Sequence, residues 1–318
     1  MSPALHTITL NPALDQTVTL DELLPGGVNL ARAAQLNAGG KGINVASCLA
    51  DWGLPATVHG LLGRDNSGAF EQLFAAKRIH DRMLRLPGDS RVNIKLADLQ
   101  SGRTTDINLP GLAAAEADLQ ALAARLAELR AGDSAALAGS LPPGLPSDAL
   151  ARLCRQLKRQ GVWVLLDSSG PALAAALANP PEALPDCIKP NREELAQWAG
   201  RELAALPDVA RCAQGLQRRG IAQVVVSLGE QGAMLVDADC ARLASLPPQR
   251  PLSTVGAGDA LVAGLMAARQ QGLAGGDALR LAVAFAAAKL QSVGPHLPAA
   301  EQIRQLADAV RLQDLAAA

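Results

Sequence analysis

The chain of 318 residues has no tyrosine and only three phenylalanines and three tryptophans. Platforms on which bases could stack are therefore scarce. Net charge is −1 with 19% charged residues, so no basic field exists to hold nucleic acid or an anionic membrane surface. No apolar run approaches the roughly 20 residues that a membrane helix needs. The N-terminus lacks a charged n-region, since the first Arg or Lys is Arg32, and Leu5–Leu10 alternates like a strand rather than a signal-peptide core. Cys48, Cys154, Cys187, Cys212 and Cys240 form no CxxC pair and read as buried or idle thiols of a reducing compartment. His6, His59, His80 and His296 do not cluster, which argues against zinc. These absences predict a soluble, cytoplasmic protein that binds neither nucleic acid nor membrane.

Two phosphate-binding signatures are missing as well. Leu261 stands where a Rossmann fingerprint needs its third glycine, and Lys41 is followed by Gly42 rather than the Ser or Thr of a Walker A loop.

What the chain has is apolar content, 49%, enough for one large α/β domain or two modest ones. Strand-like runs at Ala56–Leu62, Ala135–Ala138, Val162–Asp167, Cys187–Lys189 and Ala222–Leu228 alternate with helical stretches. The helical stretches are Ile43–Asp51, Ala69–Ala76, Ala113–Leu129, Ser147–Gln160, Glu193–Ala199 and Asp208–Arg219. Gly258–Ala268, Gly276–Leu290 and Ala299–Leu312 continue as helices, and the whole predicts a mostly parallel sheet covered by helices. Two segments break the rhythm, Leu14–Asn37 and Arg91–Asn108. Their short alternating runs predict antiparallel strands that build one small sheet off the main body, suited to be a lid over a cleft.

The most informative stretch is Ser253-Thr254-Val255-Gly256-Ala257-Gly258-Asp259, followed by an apolar helix. Its glycines let backbone amides approach an anion, and the helix points its positive end at the same spot. A carboxylate there would repel phosphate unless Asp259 takes a proton from an attacking hydroxyl while the amides hold the transferring group. A tight turn with an acidic helix start explains the same residues without chemistry.

Asn37-Ala38-Gly39-Gly40-Lys41-Gly42-Ile43-Asn44 again describes an amide-rich pocket with one point charge, and Asn44 lies on the helix's first turn, in reach of a sugar hydroxyl. Asp15, after Asn11-Pro12 at the exit of the first strand, stands where ligands of parallel sheets gather, though an ordinary turn fits too. Asn191 and Glu194 in Lys189-Pro190-Asn191-Arg192-Glu193-Glu194 share a helix face and suit Mg²⁺ through water; locally, an N-cap with a capping box explains them better. Ser227-Leu228-Gly229-Glu230-Gln231-Gly232 offers backbone that could pass close to a nucleotide, or a plain hairpin turn.

In this order the motifs resemble the ribokinase-like, PfkB-type carbohydrate kinases, over about residues 6 to 312. Ala138-Gly139-Ser140-Leu141-Pro142-Pro143-Gly144 and Asp167-Ser168-Ser169-Gly170 add to the resemblance. It implies a three-layer α/β/α core with a mostly parallel sheet, in one kinase domain spanning 1–318. The core would comprise 1–13, 38–90 and 109–318, with the β lid drawn from 14–37 and 91–108. Within the family, Val28-Asn29-Leu30, Gly39–Ala46 and Arg91–Leu96 are most similar to the branch that phosphorylates fructose 1-phosphate to the 1,6-bisphosphate. Tagatose-6-phosphate kinases and 6-phosphofructokinases of the same family are the alternatives.

The resemblance makes Asp259 the base and Gly256, Ala257 and Gly258 the anion hole. It makes Asp15, Gly39, Gly40, Lys41, Asn44, Arg91 and Ser140 contacts of the sugar phosphate. Lys189, Asn191, Ser227, Gly229, Gly232 and Thr254 fall on the nucleotide side, and Glu194 with Asp167 would organise the Mg²⁺ of MgATP through water. Some relatives bind a monovalent cation near the anion hole, and the matching tail here is Gln291-Ser292-Val293-Gly294. The lid is also the expected interface of a homodimer. Two other classes compete: a sugar-phosphate-binding regulator without catalysis, against which the intact GAGD and NxxE speak, and a nicotinamide-dependent oxidoreductase, against which the missing GxGxxG speaks.

Overall fold

A computed structural model of the chain describes residues 3–247, 256–292, 294 and 296–315. It opens with β1 (Leu5–Thr9), β2 (Ala13–Leu20) and β3 (Ala31–Gly39), then α1 (Lys41–Asp51), β4 (Ala56–Gly63) and α2 (Gly68–Lys77). Four strands follow: β5 (His80–Asp81), β6 (Leu84–Leu86), β7 (Arg91–Asp98) and β8 (Thr104–Ile107). Alternation resumes with α3 (Glu116–Leu126), β9 (Ser134–Ala138), α4 (Ala149–Arg159), β10 (Trp163–Asp167) and α5 (Gly170–Leu177). Then come β11 (Cys187–Ile188), α6 (Arg192–Ala199), α7 (Leu206–Arg218), β12 (Gln223–Ser227), β13 (Ala233–Val236) and β14 (Ala241–Ser245). The C-terminal part is α8 (Ala257–Gln270), α9 (Gly275–Leu290), α10 (Ala300–Ala309) and β15 (Arg311–Leu315).

The large sheet runs β15-β14-β13-β12-β11-β10-β9-β1-β4-β5, with β6 pairing the later part of β4. From β12 across to β5 and β6 every pairing is parallel, and β13, β14 and β15 extend the sheet antiparallel. Strand residues alternate between two cores, as a parallel sheet buried on both faces requires. Ala136, Leu165, Cys187 and Val225 pack with α1, α2, α8, α9 and α10. Their neighbours Leu137, Leu166, Ile188 and Val226 pack with α3, α4, α5, α6 and α7. The α/β/α layering is as the sequence predicts.

The small sheet has the order β3-β2-β7-β8 and draws on both inserted segments. Its outer pairings are antiparallel, but the joint between the segments, β2 with β7, is parallel, with Asp15 opposite Asn93. That corrects the expectation of antiparallel strands alone. β1 and β6 belong to the parallel array and leave it at the same edge, so the strands that follow them set out in the same direction.

Other differences are local. The segment 299–312 is not one helix: α10 ends at Ala309 and the chain turns into β15, which covers the edge of β14 and pairs Arg242 with Asp314 at 2.7 Å. Helix α3 is shorter than 113–129, because the Asp118 carboxylate accepts from the Ala115 amide at 2.8 Å and fixes the start. The strands β5 and β6, of two and three residues, carry too few residues for a periodicity to show.

Candidate active site

The carboxyl ends of β1, β9, β10, β11 and β12 all open on one edge of the sheet, where an open α/β sheet binds its ligands. The starts of α1 and α8 meet them there. Gly256 holds a left-handed φ of 82° at the N-cap of α8, a conformation that spares the turn a Cβ strain. The first helical amide bond is Ala260 N to Gly256 O, so the amides before it point outward from the helix end.

Asp259 sits in that first turn, 8% exposed, and its Oδ2 accepts from Asn44 Nδ2 at 2.8 Å. Burial, with the Asp167 charge near it, pushes the Asp259 carboxyl up to about 6, while Lys41, Asn44 and Lys189 pull it down. Asp167 ends β10, and its Oδ1 lies 3.1 Å from Lys41 Nζ and 3.3 Å from Lys189 Nζ. Burial works against the Lys41 charge, but Asp167, Asp259 and Glu194 outweigh it and hold the ammonium above its ordinary value. A Cβ built on Gly258 would stand 3.6 Å from Lys189 Nζ, so this lysine reaches the start of α8. Asp167 thus holds two ammonium groups whose charge also reaches Asp259 beside the amide end of α8, an arrangement suited to hold and move anionic oxygen.

A second wall comes from the small sheet. Asp15 on β2 accepts from Asn93 Nδ2 on β7 at 3.1 Å and lies against Gly39, whose backbone leaves it room. Gly40 takes a φ of 113° as α1 begins, with Pro12 packed behind it. Asn11 is 5% exposed and donates to Ser140 Oγ at 3.2 Å and to the Pro110 and Leu141 carbonyls. Arg91 donates to the Leu109 and Asn11 carbonyls at 3.0 and 3.1 Å, and its buried Nε has no partner among the described residues. Burial lowers the Arg91 guanidinium below its ordinary value against the pull of Asp15. Its hydrogen bonds therefore fasten β7 to the chain behind Asn11, a task that the sequence alone does not reveal.

On the far side, Asn191 and Glu194 form a reciprocal capping box on α6, with bonds of 2.7 and 2.9 Å. Asn191 also bridges to Ser227 between neighbouring strand ends. The Ser227–Gly232 segment makes the turn from β12 to antiparallel β13. Around Gly229 the space is open, whereas any Cβ at Gly232 would meet the Ala244 carbonyl at 2.0 Å, so Gly232 serves the packing of β14. Thr254 and Val293 lie outside the described residues.

The structure therefore gathers Asp259, Gly256, Ala257, Gly258, Asn44, Lys41, Asp167 and Lys189 in one cluster. It sets Asp15, Gly39, Gly40, Arg91 and Ser140 along one wall, and Asn191, Glu194, Ser227 and Gly229 along another. Asn11, Asn93 and Lys289 belong to the neighbourhood and were not singled out by sequence. The first two lie within motifs where only their neighbours drew notice, and Lys289 follows an apolar run in the last turn of α9, where a lysine reads as an ordinary helix end.

A site for Mg²⁺ finds partial support in the donors present. Among the described residues Asp167 Oδ2 is buried without a partner, and one Glu194 oxygen stays outside the capping box. Among the described residues no group of three or more His, Cys, Asp or Glu side chains is placed to hold a metal. This sparse oxygen set fits an ion that arrives on phosphates and keeps its waters.

The profile of the pfkB family carbohydrate kinases matches residues 9–302. The chain is 47% identical over 312 residues to a 1-phosphofructokinase of Xanthomonas campestris pv. campestris, covering 98% of each. It is 46% identical over 318 residues to a 1-phosphofructokinase of Rhodobacter capsulatus, covering 99% of each. Among solved structures, phosphofructokinase-2 from Escherichia coli in complex with potassium superposes with a TM-score of 0.90 at 31% identity, covering 97% of this chain and 99% of that one.

Proposed function

The chain belongs to the pfkB family of carbohydrate kinases, and from that premise we infer that it transfers the γ-phosphoryl group of ATP to the 6-hydroxyl of D-fructose 1-phosphate, giving D-fructose 1,6-bisphosphate and ADP. It is an enzyme, a phosphotransferase with an alcohol group as acceptor. The observation that carries the chemistry is Asp259, a buried carboxylate held by Asn44 at the open amide end of α8.

The reaction follows from that geometry. The sugar hydroxyl gives its proton to the Asp259 carboxylate as its oxygen forms a bond to the γ-phosphorus, and the bond to the β-phosphate oxygen breaks. The amides around Gly256, Ala257 and Gly258, with Lys189 beside them, receive the charge on the transferring oxygens. Asn44 orients Asp259 and shares it with the incoming hydroxyl. Asp15 and Asn93 face the sugar's hydroxyl groups, while Lys41, Arg91 and Ser140 bind its phosphate. Asn191, Ser227 and Gly229 line the nucleotide side. Glu194 and Asp167 would hold Mg²⁺ through water, and the bound ion would neutralise phosphate charge.

The small sheet acts as a lid that excludes water from the transferring group. Its other role is a homodimer interface. Leu24, Val28, Leu30, Leu36, Leu99, Ile107 and Leu109 are exposed on or beside it, and among the described residues only Leu273 is a large exposed apolar side chain elsewhere. Among the described residues no helix is long and apolar enough to cross a membrane, and with a reducing set of free thiols the reading is a cytoplasmic enzyme.

The test is an ADP-release assay with MgATP and, in turn, fructose 1-phosphate, fructose 6-phosphate and tagatose 6-phosphate. The highest kcat/KM should fall to fructose 1-phosphate. Preference for either 6-phosphate would overturn the substrate and leave the kinase chemistry standing. No ADP release with any of them would favour a regulator that only binds.

A further inference from the structure

Lys289 lies in the last turn of α9 and is 5% exposed. Its Nζ donates to the Gly294 carbonyl at 2.6 Å and to the Ser292 carbonyl at 3.3 Å. A Cβ built on Gly256 would stand 3.1 Å from Lys289 Cε, so the aliphatic stem packs directly under the turn that opens α8. Burial pulls the ammonium below its ordinary value, while Cys48 and Asp259 act to keep its charge.

Backbone carbonyls that converge on one point need a donor or a cation between them. An alkali cation is held by just such oxygens, and so is the compact ammonium of a lysine, which brings three donors. The two compete for the same oxygens, and their like charges repel at that range. The solved relative that holds potassium shows that this fold accepts such an ion. In the present chain the Ser292 and Gly294 carbonyls, in the tail where the family resemblance would seat one, are already bonded to Lys289. Among the described residues the donor set therefore does not fit a free monovalent cation.

We propose that Lys289 is a built-in substitute for the monovalent cation, fixing the loop after α9 beneath the Gly256 turn so that the anion hole forms without added potassium. Lys289 is a positioning residue: it supports the amides of α8 through Gly256 and touches no substrate.

The experiment compares wild type and Lys289→Met in tetramethylammonium salts at constant ionic strength, with potassium chloride then titrated in. Thermal unfolding is followed in the same solutions, and this readout does not depend on the substrate assignment. The wild-type rate should change by less than about twofold with potassium and its unfolding temperature should not move. Loss of a charge-assisted contact should lower kcat of Lys289→Met about tenfold or more without potassium. Part of that rate should return with potassium or ammonium. A saturable rise in wild-type rate or unfolding temperature with potassium would overturn the proposal, whether or not the variant folds. So would a potassium-free Lys289→Met enzyme as fast as wild type.

Discussion

The two walls of the cleft are built on opposite terms. The edge of the large sheet offers buried charge: Asp167 at 1% exposure, Lys189 at 4%, Lys289 at 5% and Asp259 at 8%, each tied to another element by a hydrogen bond or ion pair. The small sheet offers the reverse. β3 is exposed along most of its length, β8 throughout, and Val28 and Leu30 at the tip are 89% and 86% exposed. The contrast teaches where rigidity is required. Groups that stabilise a transferring phosphoryl must be in place before reaction, since reorganising them would raise the barrier. Groups that admit and release a sugar phosphate must move, and an element with few buried contacts opens at low cost.

The contrast breaks first at Asp259. Asp259→Asn keeps shape and the Asn44 neighbourhood but removes the base, so kcat should fall by roughly 10²–10⁴ with ATP affinity little altered. Steady-state kinetics with a nucleotide-binding titration measure this. Near-normal turnover would mean the buried charge is structural.

Next come the cations on the two sides. Lys41→Ala and Arg91→Ala should each lower kcat/KM for fructose 1-phosphate at least ten- to a hundredfold, the worth of about 1.5–3 kcal/mol from a charge-assisted contact. The split between constants sharpens the comparison. Lys41 lies on Asp167, so its loss should reduce kcat as well, whereas the loss of Arg91 should appear mainly in KM.

A smaller effect follows from pH. On the proposed mechanism the working form of Asp259 is ionised, and its carboxyl is raised to about 6. The rate should therefore be full above that pH and fall about tenfold per unit below it, where an unperturbed aspartate would keep activity to near pH 4. A pH–rate profile flat down to pH 5 would remove the base from this environment.

The least effect on chemistry belongs to the lid tip. Val28→Ser with Leu30→Ser should weaken self-association at least tenfold by sedimentation while kcat changes less than about threefold. In the wild type, amide exchange in 14–37 and 91–108 should slow when sugar phosphate binds. Unchanged exchange would contradict closure.

Much of the charged wall was legible in sequence, because its residues stand in short motifs at element ends, Gly256–Asp259 at the start of α8 and Asp167 at the end of β10. The layers were legible too, since strand residues on both faces are apolar and the helices between them are long. What escaped depends on pairings distant in the chain. Arg91 reads as a free cation until Leu109 and Asn11 are brought to it. Lys289 reads as a helix-end lysine until its loop folds back over it. The Asn191–Glu194 spacing is compatible with metal or cap, and only the coordinates show the cap formed.

The parallel joint between β2 and β7 has a consequence for how the chain is made. Leu14 pairs with Val92 and Thr17 with Lys95, so the centre of the small sheet joins segments separated by β3, α1, β4, α2, β5 and β6. Such a contact bears the closure entropy of the whole intervening loop, so it forms late in folding. A ribosome-bound chain that ends before β7 exposes β2 with only β3 as partner. Until synthesis passes that point, the first hairpin is an open edge awaiting its mate, and the apolar tip at Val28 and Leu30 is the surface most in need of a chaperone.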